Sequence, residues 1–153
     1  NITILPPDYL DVVSPEDEEE GRNNMVEGTP HTRIMVVDDM KTNLEVMRSI
    51  LDNIYDLTLC KSGYQAIQYM KKNPFPDLII MDVDMPEMTG IEATVKINEI
   101  TGGTIPVLFV TAICDAQTVI TCRELHAAGY IVRPYKPVYI KAEIERILSG
   151  WRH

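Results

Sequence analysis

Four acids (Asp38, Asp39, Asp82 and Asp84), one hydroxyl (Thr111) and two bases (Arg133 and Lys136) are the residues of this 153-residue chain whose types and placement could do chemistry. Each group follows a short apolar run: MVV before Asp38-Asp39, LIIM before Asp82, VLFV before Thr111, and YIV shortly before the bases. Carboxylates gathered in one place repel one another, and their pKa values rise unless a cation shares the site. A hard divalent ion with oxygen ligands, Mg2+ first among them, relieves that repulsion and keeps water positions open to a phosphate. A carboxylate in such a site can attack phosphorus while the metal, a hydroxyl and an ammonium neutralise the phosphoryl oxygens.

Gathering these groups requires strands that end at one edge. From Arg33 onward the apolar period alternates between that of strands and that of helices. IMVVDD, DLTLC, DLIIMD, TIPVLFVTA and GYIVRPY read as strands. KTNLEVMRSILDN, SGYQAIQYMKK, GIEATVKINEI, DAQTVITCRELHAAG and KAEIERIL read as helices, with Leu44, Met47, Ile50 and Leu51 on one face of the first and Ala66, Ile67 and Met70 inward on the second. Strict alternation predicts an α/β fold with a parallel sheet and helices on both faces. LIIM and VLFV agree, because a parallel strand buried on both faces need not alternate. Ligands of such sheets bind at the carboxyl ends of the strands, where the candidate residues stand.

Composition bounds the rest. One core is expected for a chain of this length with 45% hydrophobic residues. Residues 1–30 hold eight acids against Arg22, seven of the nine net negative charges, so the folded part carries about −2 and offers no basic field for nucleic acid. PEDEEEGRNN and the surrounding prolines predict a linker over 11–30, whereas NITIL has the β-branched residues of a strand. The expected division is a tail over 1–31, a folded domain over 32–149 and a short tail over 150–153. No apolar run has bilayer-spanning length, and the first residues given lack the basic-then-apolar order of a secretory signal. Cys60, Cys114 and Cys122 lie in apolar segments without CxxC spacing, so buried reduced thiols and a cytoplasmic location are expected. Met35, Met47, Met70 and Met81 read as core filler, and His31, His126 and His153 lack ligand spacing.

VVDD, LIIMDVDMPEMTG, Thr111-Ala112 and Lys136-Pro137, taken in order, resemble the receiver domain of two-component response regulators over about residues 32–148. The resemblance implies a flavodoxin-like, doubly wound five-stranded parallel sheet of order 2-1-3-4-5 with five helices. It makes Asp82 the phosphoacceptor and Asp38 and Asp39 the acidic pair, Asp39 being preferred as the direct metal ligand. Asp84 takes the position whose main-chain carbonyl binds Mg2+. Thr111 becomes the hydroxyl that moves to the phosphoryl group and Lys136 the base paired with it, with a cis bond before Pro137. Anchored on Lys136-Pro137, the family's switch aromatic falls on Arg133; anchored on the distance from Thr111, Tyr130 is the aromatic and Arg133-Pro134 replaces the Lys-Pro pair. The first register is preferred because KPVYIKAEIERIL then begins the last helix where the family begins it, and a compact Lys suits a point-charge role.

The implied function is Mg2+-dependent acceptance of a phosphoryl group on Asp82 from the phosphohistidine of a histidine kinase or phosphotransfer protein. Catalysis would be limited to self-phosphorylation and autodephosphorylation. A downstream protein would read the fourth and fifth helices and last strand, with a homodimer left open. The acidic linker and DDMKTNLEVM also resemble receivers joined behind hybrid sensor histidine kinases; with only residues 150–153 after the folded domain, the expectation is a stand-alone receiver or a piece of something larger, without a DNA-binding output domain in this segment. Two alternatives stand beside this reading. DVDMP resembles the DxD of haloacid-dehalogenase-type phosphatases, with Asp82 as nucleophile and Asp84 as general acid or base. A pseudo-receiver would bind partners without phosphorylation.

Overall fold

In the computed structural model, residues 1–7, 9 and 32–150 are described, and the expectations for the linker over 11–30, for His31 and for His153 lie outside them. Among the described residues, six strands and five helices follow one another: β1 (Ile2–Ile4), β2 (Arg33–Val37), α1 (Lys41–Leu51), β3 (Asp56–Cys60), α2 (Gly63–Lys72), β4 (Leu78–Met81), α3 (Gly90–Thr101), β5 (Val107–Thr111), α4 (Ala116–Glu124), β6 (Gly129–Val132) and α5 (Pro137–Gly150). All pairings are parallel, in the order β1-β3-β2-β4-β5-β6. Without β1 this is the expected 2-1-3-4-5 order of a flavodoxin-like sheet. The expectation of five strands is corrected to six, because NITIL adds an edge strand in register with β3, Ile2 opposite Leu57 and Ile4 opposite Leu59.

Apolar periodicity decides the layers. LIIM of β4 and VLFVT of β5 are buried throughout, so successive side chains feed opposite faces of the sheet. Met35, Val37, Ile79, Met81 and Phe109 pack with Ala66, Ile67 and Met70 of α2 and Ala93 and Ile97 of α3. Ile34, Val36, Ile80, Leu108 and Val110 pack with Leu44, Met47, Ile50 and Leu51 of α1 and Ile140, Ile144 and Ile147 of α5. Each such side chain contributes on the order of 1.5–3 kcal/mol on burial. The apolar stripes read for α1 and α2 are the ones observed, and all four methionines assigned to the core are buried.

Helix starts are set by local chemistry. Ser62 accepts a hydrogen bond from the Gln65 amide at 3.1 Å, and Asp115 accepts one from Thr118 at 2.9 Å. Thr89 and Glu92 form a reciprocal capping box, and α3 ends on Gly102 in the left-handed conformation, φ 71°.

The N-terminal segment continues beyond β1. Leu5 donates its amide to Leu59 at 3.2 Å and buries its side chain among the residues below α2. The buried Gln65 amide donates to the Pro6 carbonyl at 2.9 Å, and the Tyr9 ring lies 6.2 Å from Tyr69. One further expectation changes: Cys60 and Cys122 are buried free thiols, but Cys114 is exposed because it sits in the loop after β5 rather than in the strand.

Candidate functional site

Two adjacent strands end side by side and carry their acids with them. β2 pairs with β4 up to Val37 opposite Met81, so Asp38 and Asp82 leave the sheet as neighbours, and the Asp82 amide donates to the Val37 carbonyl at 3.0 Å. Carboxylate oxygens of Asp38, Asp39 and Asp82 all lie within 4.8 Å of one another. Asp38 and Asp82 are 2% and 5% exposed, so little water screens them, whereas Asp39 is half-buried and Asp84 exposed.

The loop behind Asp82 is closed by Gly90. A Cβ there would stand 1.9 Å from the Asp82 carbonyl oxygen, and the Gly90 amide donates to the Val83 carbonyl at 2.8 Å. Only a residue without a side chain lets the start of α3 approach the strand end this closely.

Burial sets the electrostatics. It pushes the Asp38 carboxyl up to about 6, helped by the charge of Asp82 and opposed by the Met40 amide, Arg133 and Asn43. Asp82 is raised mainly by burial as well, against hydrogen bonding from Thr111, the Arg133 charge and the Asp84 amide. Thr111 is fully buried at the end of β5, in position to face Asp82.

Among the described residues, Arg133 is the cation set against these acids. Its Nη2 donates to Asp38 Oδ2, and its Nη1 lies 3.7 Å from Asp82 Oδ1. Register is the reason. Val132 is the last residue of β6, opposite Thr111, and the Arg133 amide donates to the Thr111 carbonyl at 2.9 Å. Arg133 is therefore the first residue past the strand, pointing where the other strand ends point. Lys136 falls three residues later, exposed, with its carbonyl accepting the first bonds of α5. The cis bond expected before Pro137 is found instead between Arg133 and Pro134. The register counted from Thr111 is thus the one observed, and it also puts Tyr130 on β6 with its ring 6.3 Å from Phe109 and its hydroxyl donating to the Ile113 carbonyl at 2.6 Å.

The structure brings together Asp38, Asp39, Asp82, Thr111 and Arg133, and leaves Lys136 outside. Of the two registers open in the sequence, the count from Thr111 is the one that puts Arg133 beside the acids. Three carboxylates with oxygen donors this close suit a hard divalent cation such as Mg2+. Next to them is a groove of about 410 Å3 lined by Asn43, Val46, Ile50, Arg133, Pro134, Tyr135 and Pro137.

Known proteins resemble this chain to differing extents. The family model described as "Response regulator receiver domain" matches residues 34–145. The Escherichia coli transcriptional regulatory protein ZraR is 32% identical over 117 residues, 76% of this chain and 26% of that protein. The signal transduction histidine-protein kinase BarA of the same organism is 43% identical over 68 residues, 44% of this chain and 7% of that protein. The chain thus spans about a quarter or less of these two relatives. Among solved structures, the signal receiver domain of a Syntrophus aciditrophicus signal transduction histidine kinase superposes with a TM-score of 0.69 at 31% identity, covering 80% of this chain and 93% of that one. A CheY-like receiver domain protein from Methanospirillum hungatei gives 0.74 at 23% identity, covering 80% and 97%, and so shows the shared fold.

Proposed function

The chain belongs to the response regulator receiver domain family of two-component signalling, and on that premise we propose that Asp82 accepts a phosphoryl group from a phosphohistidine, with Mg2+ held by Asp38, Asp39 and Asp82. The observation that carries this reading is the convergence of three carboxylates, a buried hydroxyl and a guanidinium at one strand edge. An Asp82 oxygen attacks phosphorus; the N–P bond of the donor breaks as the O–P bond forms, and the imidazole leaves and regains a proton from solvent. Mg2+, when bound, supplies charge neutralisation for the phosphoryl oxygens. Arg133 supplies two directed N–H donors to the same oxygens, and the Thr111 hydroxyl a third. Attack of water on the acyl phosphate returns inorganic phosphate and the free carboxylate.

The Asp84 main-chain carbonyl completes the metal ligands in this reading. Its carboxylate is exposed at the mouth of the site and is not needed for attack. Tyr130, rather than Arg133, takes the switch position, its hydroxyl tethered to the loop after β5. The output face is α4, β6 and α5, where Val132, Val138 and Tyr139 are exposed. A histidine kinase or phosphotransfer protein is the phosphodonor, in the cytoplasm. No described helix is long and apolar enough to cross a membrane. Membership of a hybrid kinase agrees with the match to the histidine-protein kinase BarA and with the likeness to the signal receiver domain of the Syntrophus kinase.

Incubation with acetyl phosphate and Mg2+, followed by intact-mass measurement, is expected to add the mass of one phosphoryl group. The adduct is lost in Asp82→Asn and kept in Asp84→Asn. Its persistence in Asp82→Asn would refute the assignment, and sustained turnover of a small phosphoester that vanishes in Asp84→Asn would favour the phosphatase reading.

A further inference from the structure

The outer edge of β3 is a fitted surface, and residues 1–7 with Tyr9 are what fits it. Main-chain pairing sets direction and register: the Leu57 amide donates to the Asn1 carbonyl at 2.8 Å and the Leu5 amide to the Leu59 carbonyl at 3.2 Å, with the segment parallel to β3. Side chains then read the two faces of the sheet. Ile2 packs against the layer of α1 and α5, whereas Leu5, 2% exposed, enters the layer of α2 and α3. Pro6 ends the pairing because it has no N–H to give, and its carbonyl is taken by the Gln65 side-chain amide at 2.9 Å. Gln65 is 4% exposed, and its own oxygen accepts from the Lys61 amide at 2.8 Å, which fixes the side chain with its donor turned to the segment. At the far end of α2 the Tyr9 ring lies beside Tyr69, and its hydroxyl accepts from Asn73 Nδ2 at 3.2 Å.

We infer that the outer edge of β3 and the adjoining face of α2 form a docking site for an extended peptide, and that the chain fills this site in cis with its own residues 1–9. Strand addition of this kind takes its affinity from main-chain bonds and its specificity from side-chain pockets. Here the pockets select an apolar residue at the place of Ile2, a leucine at Leu5, a strand-ending carbonyl at Pro6 and an aromatic hydroxyl at Tyr9. Without the segment β3 would be the bare edge of the sheet, its Leu57 amide and Leu59 carbonyl open to pairing with another chain. Two features favour the chain's own segment over that of a second copy. Residues 10–31 join Tyr9 to Thr32, and a tether of that length holds the segment at an effective concentration on the order of millimolar. A net charge of -9 on each chain also opposes the approach of a second copy.

Anisotropy of a fluorescent peptide of residues 1–10, titrated with the full chain, tests this alongside sedimentation and hydrogen exchange at the Leu57 amide, which Asn1 covers. Wild type, its site filled by the tethered copy, is expected to take up no peptide at micromolar concentration. Leu5→Asp, whose own segment cannot seat, binds the peptide, and its fast Leu57 exchange slows when the peptide is added. A peptide carrying Leu5→Ala binds this variant weaker by about tenfold or more. Leu5→Ala in the full chain serves as the milder variant, with Leu57 exchange faster than in wild type. A folded Leu5→Asp chain that takes no peptide overturns the site; should that variant not fold, wild-type Leu57 exchange in Leu5→Ala does the same. Wild type that binds the peptide as tightly as Leu5→Asp overturns filling in cis. A wild-type dimer that Leu5→Asp converts to monomer gives the site to a second copy and overturns it likewise.

Discussion

The strand ends that gather Asp38, Asp82 and Arg133 and the outer edge where β1 joins β3 are built on opposite principles. At the first, charged groups are buried at a cost that pairing offsets only in part, and Asp38 and Asp82 both hold raised pKa values despite their arginine. At the second, Leu5, 2% exposed, meets apolar neighbours, and the polar groups around it are bonded, Leu5 to Leu59 and Pro6 to Gln65. The first edge stores free energy that a ligand can release, whereas the second stabilises the fold and has nothing to release.

Gly90 gives the largest test of that contrast. Gly90→Ala drives a methyl against the backbone of Asp82, which cannot swing aside as a side chain would. A loss of about 3 kcal/mol in urea unfolding is expected, together with loss of phosphoryl uptake, because the residue whose backbone the methyl meets is also the nucleophile. Wild-type uptake in Gly90→Ala would mean that the strand end does not position Asp82.

Leu5→Ala separates the two edges. Removing a fully buried leucine is expected to cost about 2–3 kcal/mol, measured by the same unfolding curve, with acetyl phosphate labelling unchanged in the folded protein. Lost labelling would join the N-terminal edge to the chemistry and break the comparison.

Legibility differed between the edges in the same way. The strand ends could be read because their residues are chemically unusual after apolar runs: Asp38, Asp39, Asp82 and Thr111 were all singled out, and the apolar faces of α1 and α2 followed from period alone. The choice between Arg133 and Lys136 depended on which of two X-Pro pairs abuts the acids. That is decided by where β6 stops opposite Thr111, a pairing that composition does not carry. The place of β1 was less legible still. Three residues with strand propensity say nothing about a partner more than fifty residues away, and Leu5 looks like any other leucine until β3 and α2 surround it. Cys114 misled for a related reason, since its apolar neighbours continue past the last strand pairing.

Acidity provides a third test. Asp38 has a folded-state value of about 6 against an ordinary 3.8, so the fold favours its protonated form. The stability this contributes is fully present below the ordinary value and is lost as pH rises through about 6. Asp82 is shifted in the same direction and adds to the trend. In EDTA, urea midpoints are expected to fall across this window, less steeply in Asp38→Asn, while the Leu5→Ala decrement stays constant with pH. Saturating Mg2+ at neutral pH recovers much of the loss, because an ion that binds ionised carboxylates stabilises the state that bears them. Midpoints that rise across the window would reverse the sign assigned to the site.

The smallest effect marks where the site edge stops. Thr89 caps α3 one residue before Gly90, its hydroxyl accepting from the Glu92 amide at 3.1 Å and the Glu92 carboxylate accepting from the Thr89 amide at 2.9 Å. Both bonds are exposed, so water replaces them at little cost, and Thr89→Ala is expected to lose about 1 kcal/mol. The Gly90 approach to Asp82 is fixed by backbone contacts, the Val83 carbonyl and the buried Thr94 hydroxyl, which donates to the Gly90 carbonyl at 2.7 Å. Phosphoryl uptake and Mg2+ affinity should therefore be those of wild type. If either falls along with the cap, the chemistry of Asp82 depends on how firmly α3 begins, and the site extends into the helix; if neither does, the boundary lies at Gly90, where the Cβ is missing.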